Sequence, residues 1–136
     1  MRSLAVLALA LAIVGCGKPS GPHAGQVPAN VQSFYKPRSA VWKVLIDTVR
    51  YDYLLNVEVA DEKRGYFSTE LIRDYQPGQR SKYRLSGKLT FDGKSQIVTL
   101  YRHLQIQVGE EWKTIASDLM LERRILADLQ KKLENM

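Results

Sequence analysis

The stretch from Lys82 to Phe91 has the most regular pattern in the chain, because apolar and polar residues alternate along it. One set contains Tyr83, Leu85, Gly87, Leu89 and Phe91, and the other contains Lys82, Arg84, Ser86, Lys88 and Thr90. This alternation is typical of an antiparallel strand with one buried and one solvated face. Asp92 and Gly93 follow, and Asp-Gly between alternating segments predicts a tight hairpin turn. We therefore expect this strand and the next to form a β-hairpin.

Shorter alternating segments predict further strands around this hairpin. They lie at about 55–60, 66–73 and 95–108, and a short fifth strand is expected at 112–115. The charged run Asp61–Gly65 and the run Gln76–Gln79, which contains Pro77-Gly78, are expected turns. In the 95–108 strand, Val98, Leu100, Leu104, Ile106 and Val108 are expected to face inward. Arg102 interrupts them, so we expect either a bulge or an arginine that reaches the sheet edge.

Two amphipathic helices flank the predicted strands. Ser39 is a good N-cap for a helix over 39–52, whose apolar residues recur at three- and four-residue spacing and include Trp42. Ser117 or Asp118 can cap a final helix that ends near Leu133. The order predicts a two-layer α+β domain, in which an antiparallel sheet of four to five strands is covered on one face by an N-terminal and a C-terminal helix.

The first seventeen residues have the features of an export signal. Arg2 precedes an apolar run from Leu4 to Val14, which is shorter than the ~20 residues that a membrane-spanning helix needs. Gly15 and Cys16, the only cysteine in the chain, follow this run. The alternative interpretation is a buried cysteine at the end of a short apolar helix.

The residues Ile13, Val14, Gly15 and Cys16 resemble the lipobox of bacterial lipoprotein signal peptides. The resemblance implies that a signal peptidase recognises Ile13, Val14 and Gly15 and cuts before Cys16, whose thiol carries a diacylglyceryl group and whose new amino group is acylated, for example with palmitate. Two or three acyl chains make a stable membrane anchor, whereas a single chain binds only marginally. Gly17 stands where Asp signals inner-membrane retention in enterobacteria, which implies the outer membrane. In a bacterium with a single membrane, the anchor would lie on the outer face of that membrane.

These features divide the chain into three segments. Residues 1–15 are the expected lipoprotein signal peptide, and residues 16–37 are the lipidated cysteine and a flexible linker rich in Gly, Pro, Ser and Asn. Residues 38–136 are the expected α+β domain. Val31, Phe34 and Tyr35 are apolar enough to dock locally on that domain.

The formal charge is +6 for the full chain, and loss of Arg2 with the signal peptide leaves +5. An exported protein does not normally meet nucleic acid, so the expected acidic partners are anionic lipid headgroups, lipopolysaccharide or an acidic protein surface. The alternative is a basic surface that only keeps the protein soluble. With Cys16 committed to lipid, no disulfide is expected.

The run from Ala40 to Gly65 resembles the helix-grip domains of the BamC-type lipoprotein of the outer-membrane β-barrel assembly machinery. Those domains begin with a helix that bears a V-W motif, matched by Val41 and Trp42, and continue into a curled antiparallel sheet closed by a helix. The resemblance covers about 90 residues and implies a single helix-grip-like domain. It also implies a role accessory to outer-membrane protein assembly.

Residues suited to catalysis are few. His103 is the only histidine of the predicted domain, and Asp61 and Glu62 are adjacent carboxylates in a predicted turn. A hydrolase built on His103, or acid–base or cation chemistry at the carboxylates, is less favoured than a strand histidine and a solvated turn. His and Cys lack metal-site spacing, and no Gly-rich phosphate loop follows a strand. We expect no cofactor, no metal and no enzymatic activity.

Lys82, Arg84 and Lys88 are expected to point to the open face of the sheet, beside some of the tyrosines of the strands. Tyr and Arg are enriched at binding hot spots, so this is a candidate partner-binding face. Trp112 is a second candidate contact, with a core position as its alternative. The sequence thus predicts a non-catalytic binding or assembly module of the cell envelope. A carrier of a lipid or small apolar ligand, held between helices and sheet, remains the main alternative.

Overall fold

The computed structural model describes residues 29–136. The predicted signal peptide, the four lipobox residues Ile13, Val14, Gly15 and Cys16, and the first part of the predicted linker lie outside these residues. The described strands are β1 (Val31–Phe34), β2 (Val57–Asp61), β3 (Tyr66–Thr69), β4 (Ile72–Gln76), β5 (Gln79–Phe91), β6 (Gln96–Val108) and β7 (Glu111–Ile115). The helices are α1 (Arg38–Asp47), which continues into a π-helical turn (Thr48–Asp52), and α2 (Met120–Glu134).

A long hairpin of β5 and β6 lies at the centre of one antiparallel sheet, and the turn that joins the two strands is the one predicted at Asp92-Gly93. The two strands pair without a register shift from Ser81 opposite Ile106 to Phe91 opposite Gln96. At the end near the Asp92 turn, the order across the sheet is β2-β3-β5-β6-β1. We call this part the proximal sheet. At the other end β4 pairs with β5 and β7 pairs with β6, which gives a four-stranded part that we call the distal sheet (β4, residues 79–84, residues 103–108 and β7).

The hydrophobic core lies between the helices and one face of the proximal sheet, which we call the inner face. Its central members come from α1, β3, β5, β6 and α2, and all are almost completely buried: Val41, Leu45, Phe67, Leu85, Leu89, Val98, Leu100, Ile125 and Leu129. Packing is tightest at Gly87, where an added methyl group would collide with the rings and methyl groups of Phe67 and Leu100. Close packing between β3 and β6 therefore requires a glycine here.

The prediction of a two-layer domain with a four- to five-stranded sheet covered by two helices is wrong. The sheet has seven strands, and no residue of the distal sheet is buried. The reason is length, since β5 and β6 have 13 residues each. At about 3.4 Å per residue such strands reach about 44 Å. The 15 residues of α2 extend only about 22 Å at about 1.5 Å per residue, so the helices cover just one end of the hairpin.

The predicted strand over 66–73 is two strands, β3 and β4. Thr69 ends β3, because its hydroxyl oxygen accepts the Leu85 backbone N–H at 3.0 Å in place of a ladder hydrogen bond. After residues 70 and 71 the chain rejoins β5 as β4, with Ile72 opposite Tyr83. The Pro77-Gly78 turn then closes the β4–β5 hairpin as predicted, and Gly78 has the positive φ of 81° that such a turn requires.

The segment predicted as a linker contains a strand in its last part. β1 pairs with the first residues of β6, and Phe34 is buried in the core. Just before β1, the Asn30 side chain donates to the Leu100 carbonyl at 2.9 Å and the Asn30 carbonyl accepts the Leu100 N–H. The chain therefore enters the fold at the edge of β6, between β1 and β7.

Arg102 lies in regular register, so the bulge predicted as one of its alternatives is absent from the β5–β6 pairing. Its side chain is mostly buried on the inner face, and its guanidinium lies 5.2 Å from the Tyr83 ring centroid. It donates to Asp118 Oδ1 at 3.1 Å and to the Ser117 hydroxyl at 3.3 Å. These two side chains also accept N–H groups at the start of α2, so Arg102 fixes that helix to the centre of the sheet.

Candidate functional site

The outer face of the sheet, opposite the helices, gathers the predicted binding residues. The strand register places Lys82, Arg84 and Trp112 on the outer face of the distal sheet, and Lys88 on the outer face of the proximal sheet. All four candidates therefore share one face of the protein, although they come from two different strands. Lys88 is exposed, and Lys82, Arg84 and Trp112 are partly exposed.

Lys82 and Trp112 form a direct contact. The Lys82 ammonium lies 4.1 Å from the centroid of the Trp112 ring, within the range of a cation–π interaction. Trp112 is half-buried on β7 and is not a member of the core cluster. The alternative of Trp112 as a core residue is therefore wrong, and its ring is available at the surface next to a cation.

Two further cations and one tyrosine extend this site. Tyr75 on β4 lies directly opposite Arg80 on β5, with the guanidinium 5.2 Å from the ring centroid, and Arg73 lies opposite Lys82. Arg73 and Arg80 were not singled out from the sequence. A two-residue Pro77-Gly78 turn places Gln76 opposite Gln79. The antiparallel register that follows from this pair places Arg80 opposite Tyr75 and Arg73 opposite Lys82, so the sequence contained the signal for both arginines. We call Arg73, Tyr75, Arg80, Lys82, Arg84 and Trp112 the basic–aromatic face.

All charged residues of the basic–aromatic face are positive. The strand positions of the distal outer face hold four cations and no carboxylate, because Asp74 and Glu111 occupy register positions on the opposite face. The nearest compensation comes from β2, where Glu58 pairs with Arg84 at 3.3 Å. Both side chains of this pair are about half exposed, so it adds little stability and leaves the charge accessible.

The outer face of the proximal sheet continues the same chemistry. Tyr66 lies opposite Lys88 and Tyr101 lies opposite Ser86, and both tyrosines are exposed, at 38% and 41% of their surface. Lys88 thus has an exposed aromatic neighbour, as Lys82 does. The combination of tyrosine, tryptophan, lysine and arginine is typical of binding surfaces.

The inner face of the distal sheet is different, because it mixes apolar and polar residues and is only partly covered. Its apolar residues are Ile72, Tyr83, Leu104, Ile106, Val108 and Ile115, and Asp74, Ser81, Glu111 and Lys113 occupy positions on the same face. Leu104, Ile106 and Val108 were predicted to face inward, and they do lie on the core side, but Val108 is 49% exposed because no helix reaches it. Near the core, burial raises the pKa of the Tyr83 phenol, although the Arg102 cation acts in the opposite direction.

Of the residues considered for catalysis, His103 lies on β6, whereas Asp61 and Glu62 lie at the end of β2 and in the turn that follows it. His103 is exposed on the outer face opposite Arg84. Asp61 accepts the Arg64 backbone N–H at 3.1 Å within its turn, and the Glu62 backbone carbonyl accepts a hydrogen bond from Arg38. Within residues 29–136, no group of three or more His, Cys, Asp or Glu side chains is placed to hold a metal ion. Neither helix of this part of the chain is long and apolar enough to cross a membrane.

The surface of the part of the chain that the structure describes carries a groove. This groove of about 220 Å³ runs between β1 and the end of α2 and is lined by Phe34, Tyr35, Gln130 and Leu133, among others. Between the helices and the sheet, by contrast, sixteen apolar side chains pack into a single buried cluster. The ligand-carrier alternative requires a cavity in that layer, and no observation on residues 29–136 favours it.

Comparison with known proteins returns no family model that matches this sequence and no curated protein that matches it.

Proposed function

We propose that this protein is a lipid-anchored, non-catalytic binding module of the bacterial cell envelope, and that it binds an acidic partner through the basic–aromatic face. The anchor is Cys16, in the outer membrane, with the folded part on the periplasmic side. The resemblance of the run from Ala40 to Gly65, with Val41 and Trp42, to BamC-type domains supports an accessory role in outer-membrane protein assembly.

The observation that carries the proposal is the composition of the distal outer face. Four cations and two aromatic rings lie side by side there, and the carboxylates of the same strands occupy the other face. A solvated surface that only confers solubility mixes both signs of charge, whereas a one-sided face attracts a partner of opposite charge. Aromatic rings beside the cations add the contact area that hot spots use.

A photo-crosslinking experiment in living cells tests this binding. A benzoylphenylalanine at His103 sits on the outer face, and one at Ala127 sits on the exposed side of α2 as a matched control. We expect irradiation to crosslink position 103 to the acidic partner, whether a protein or a lipid, and to give no crosslink from position 127. The crosslink from position 103 should disappear in the Lys82→Glu/Arg84→Glu double variant, which reverses two charges of the face.

An Arg123→Glu/Lys131→Glu double variant is the charge-matched control, because both residues are exposed on α2. It should leave the crosslink at position 103 intact. Equal crosslinking from positions 103 and 127, or crosslinking unaffected by reversal of Lys82 and Arg84, would contradict the proposed binding face.

The anchor is tested separately by Cys16→Ala. Loss of the thiol removes the site of lipid transfer, so we expect the precursor to keep its signal peptide and the acyl modification to disappear. Metabolic labelling with a radioactive fatty acid and the electrophoretic size of the product measure both effects. Continued labelling of the Cys16→Ala protein would refute the anchor.

A further inference from the structure

We propose that the acidic partner of the basic–aromatic face is the surface of the anionic bilayer in which the anchor sits, so that the domain docks flat on its own membrane. This inference rests on the proposed function and specifies its partner. An acidic protein is the competing partner, and the experiment below distinguishes the two.

Charge complementarity is the first argument. Arg73, Arg80, Lys82 and Arg84 occupy neighbouring positions on two paired strands, which places four cations side by side on one face of the distal sheet. Such a group of cations suits the repeating phosphates of a lipid surface, and each Lys or Arg near such a surface is worth about a fivefold gain in binding. Lys88 continues the group on the proximal sheet.

The aromatic rings supply the second argument. Trp112 and Tyr75 each lie against a cation of the face, at 4.1 Å and 5.2 Å between charge and ring centroid. Tyrosine and tryptophan prefer the headgroup region of a membrane, where the ring is partly apolar and its polar group stays hydrated. In a membrane the phosphate layer and the glycerol layer lie next to each other. The cation of such a pair can therefore contact a phosphate while the adjacent ring lies in the glycerol layer.

The position of the tether supplies the third argument. Asn30, where the described chain begins to contact the fold, bonds to Leu100 at the edge of β6, and β7 with Trp112 lies on that same edge. Fourteen residue steps separate Cys16 from Asn30, and at about 3.5 Å per residue they span at most about 50 Å. An anchor at Cys16 would hold Asn30, the point where the chain enters the fold, within that distance of the lipid surface, so docking of the attached domain needs no diffusion from solution.

Quenching of tryptophan fluorescence by brominated lipids tests the inference directly. The mature protein, purified from membranes with its anchor, is reconstituted into vesicles of brominated phosphatidylcholine, with or without phosphatidylglycerol. Trp112 lies on the face, whereas Trp42 is buried in the core and serves as an internal reference. We expect Trp112 to be quenched only in vesicles that contain phosphatidylglycerol.

Three variants test whether the quenching comes from Trp112 and whether it depends on the cations of the face. Trp112→Phe should abolish the lipid-dependent quenching, because only Trp42 remains. Lys82→Glu/Arg84→Glu should reduce the docked fraction at least tenfold, whereas Arg123→Glu/Lys131→Glu should leave it unchanged. Raising the salt concentration to about 1 M shortens the screening length to about 3 Å and should release the face.

Two results would overturn the inference. If Trp112 is quenched in neither kind of vesicle, the face does not touch lipid. If Trp112 is quenched equally with and without phosphatidylglycerol, charge does not drive the contact. These vesicles contain no protein partner, so either result leaves the proposed function standing if the crosslink at position 103 is still found and contains an acidic protein.

Discussion

Glu122 is a fully buried carboxylate in the first turn of α2. Its exposed surface is zero, and neither carboxylate oxygen has a hydrogen-bond partner among residues 29–136. A buried polar group without a hydrogen-bond partner is unfavourable in a protein interior. The neighbouring core positions Ile125 and Leu126 show that an apolar side chain would fit this layer.

Replacing Glu122 with methionine should therefore stabilise the protein. We expect the free energy of unfolding to rise by about 1–3 kcal/mol, because an unpaired polar group is removed and apolar surface is gained. Urea denaturation of the purified protein measures this change. Glu134→Met on the exposed end of the same helix is the control and should shift stability by less than about 0.5 kcal/mol. A loss of stability in Glu122→Met would mean that the carboxylate has a stabilising partner.

Several individual residues were predictable from the sequence, and others were not. The alternation from Lys82 to Phe91 placed Lys82, Arg84 and Lys88 on one face, because side chains of a strand alternate strictly. Burial of Glu122 was not predictable, since a charged residue in the first turn of a helix is usually solvated. Its burial depends on how α2 is seated on the sheet, which no local pattern records.

At the scale of elements, the turn that joins β5 and β6 depends on Asp92. Its carboxylate accepts the backbone N–H groups of Lys94 and Ser95 at 2.9 and 2.7 Å. The Ser95 and Lys94 N–H groups hold the pKa of Asp92 below its usual value of 3.8, because they favour the charged form. A lowered folded-state pKa stabilises the fold above the unfolded-state pKa, and this stabilisation is lost as the pH falls through the folded-state value.

Asp92→Asn should test this charge, because the amide keeps an acceptor oxygen but cannot ionise. We expect a lower melting temperature than wild type at neutral pH, with the difference shrinking below about pH 4. Thermal unfolding followed by circular dichroism across this pH range gives the comparison. A difference that is constant with pH would show that the charge of Asp92 does not contribute.

The distal sheet should be the less stable end of the β5–β6 hairpin. No residue of the distal sheet is buried, whereas Leu85, Gly87 and Leu89 in the proximal part of β5 are. Backbone hydrogen bonds without a covering core open more readily, so amides of residues 80–83 should exchange with deuterium faster than those of residues 86–89. Hydrogen exchange of the purified protein measures both. Equal protection would mean that another surface, such as a second copy, covers the distal sheet.

At this scale the sequence predicted the turns, because Asp92-Gly93, Pro77-Gly78 and the Asp61–Gly65 run each restrict the backbone locally, but it missed β1 and merged β3 and β4 into one strand. It did not predict how far the helices reach. Leu104, Ile106 and Val108 alternate in the same way as Val98 and Leu100, so a pattern alone makes them appear equally buried. Only the relative lengths of helix and strand reveal that the hairpin extends past its cover.

At the scale of the whole molecule, the two faces of the sheet have different roles. The inner face of the proximal sheet and the two helices form the core, and Arg102 connects that core to the start of α2. On the outer face, Lys88 is exposed, Lys82 and Arg84 are partly exposed, and Ser86 between them is buried. The proposed anchor at Cys16 and the cations of this face would suit a domain that works at short range from a membrane.

Lysine labelling in intact cells tests the central claim most directly, because it uses the unaltered protein. Lys82 and Lys88 lie on the outer face, whereas Lys131 is exposed on α2. If the outer face is occupied in the envelope, an amine-reactive reagent should modify Lys82 and Lys88 much less in cells than in the purified protein, while Lys131 reacts equally in both. Equal modification of all three lysines in cells and in solution would contradict the account.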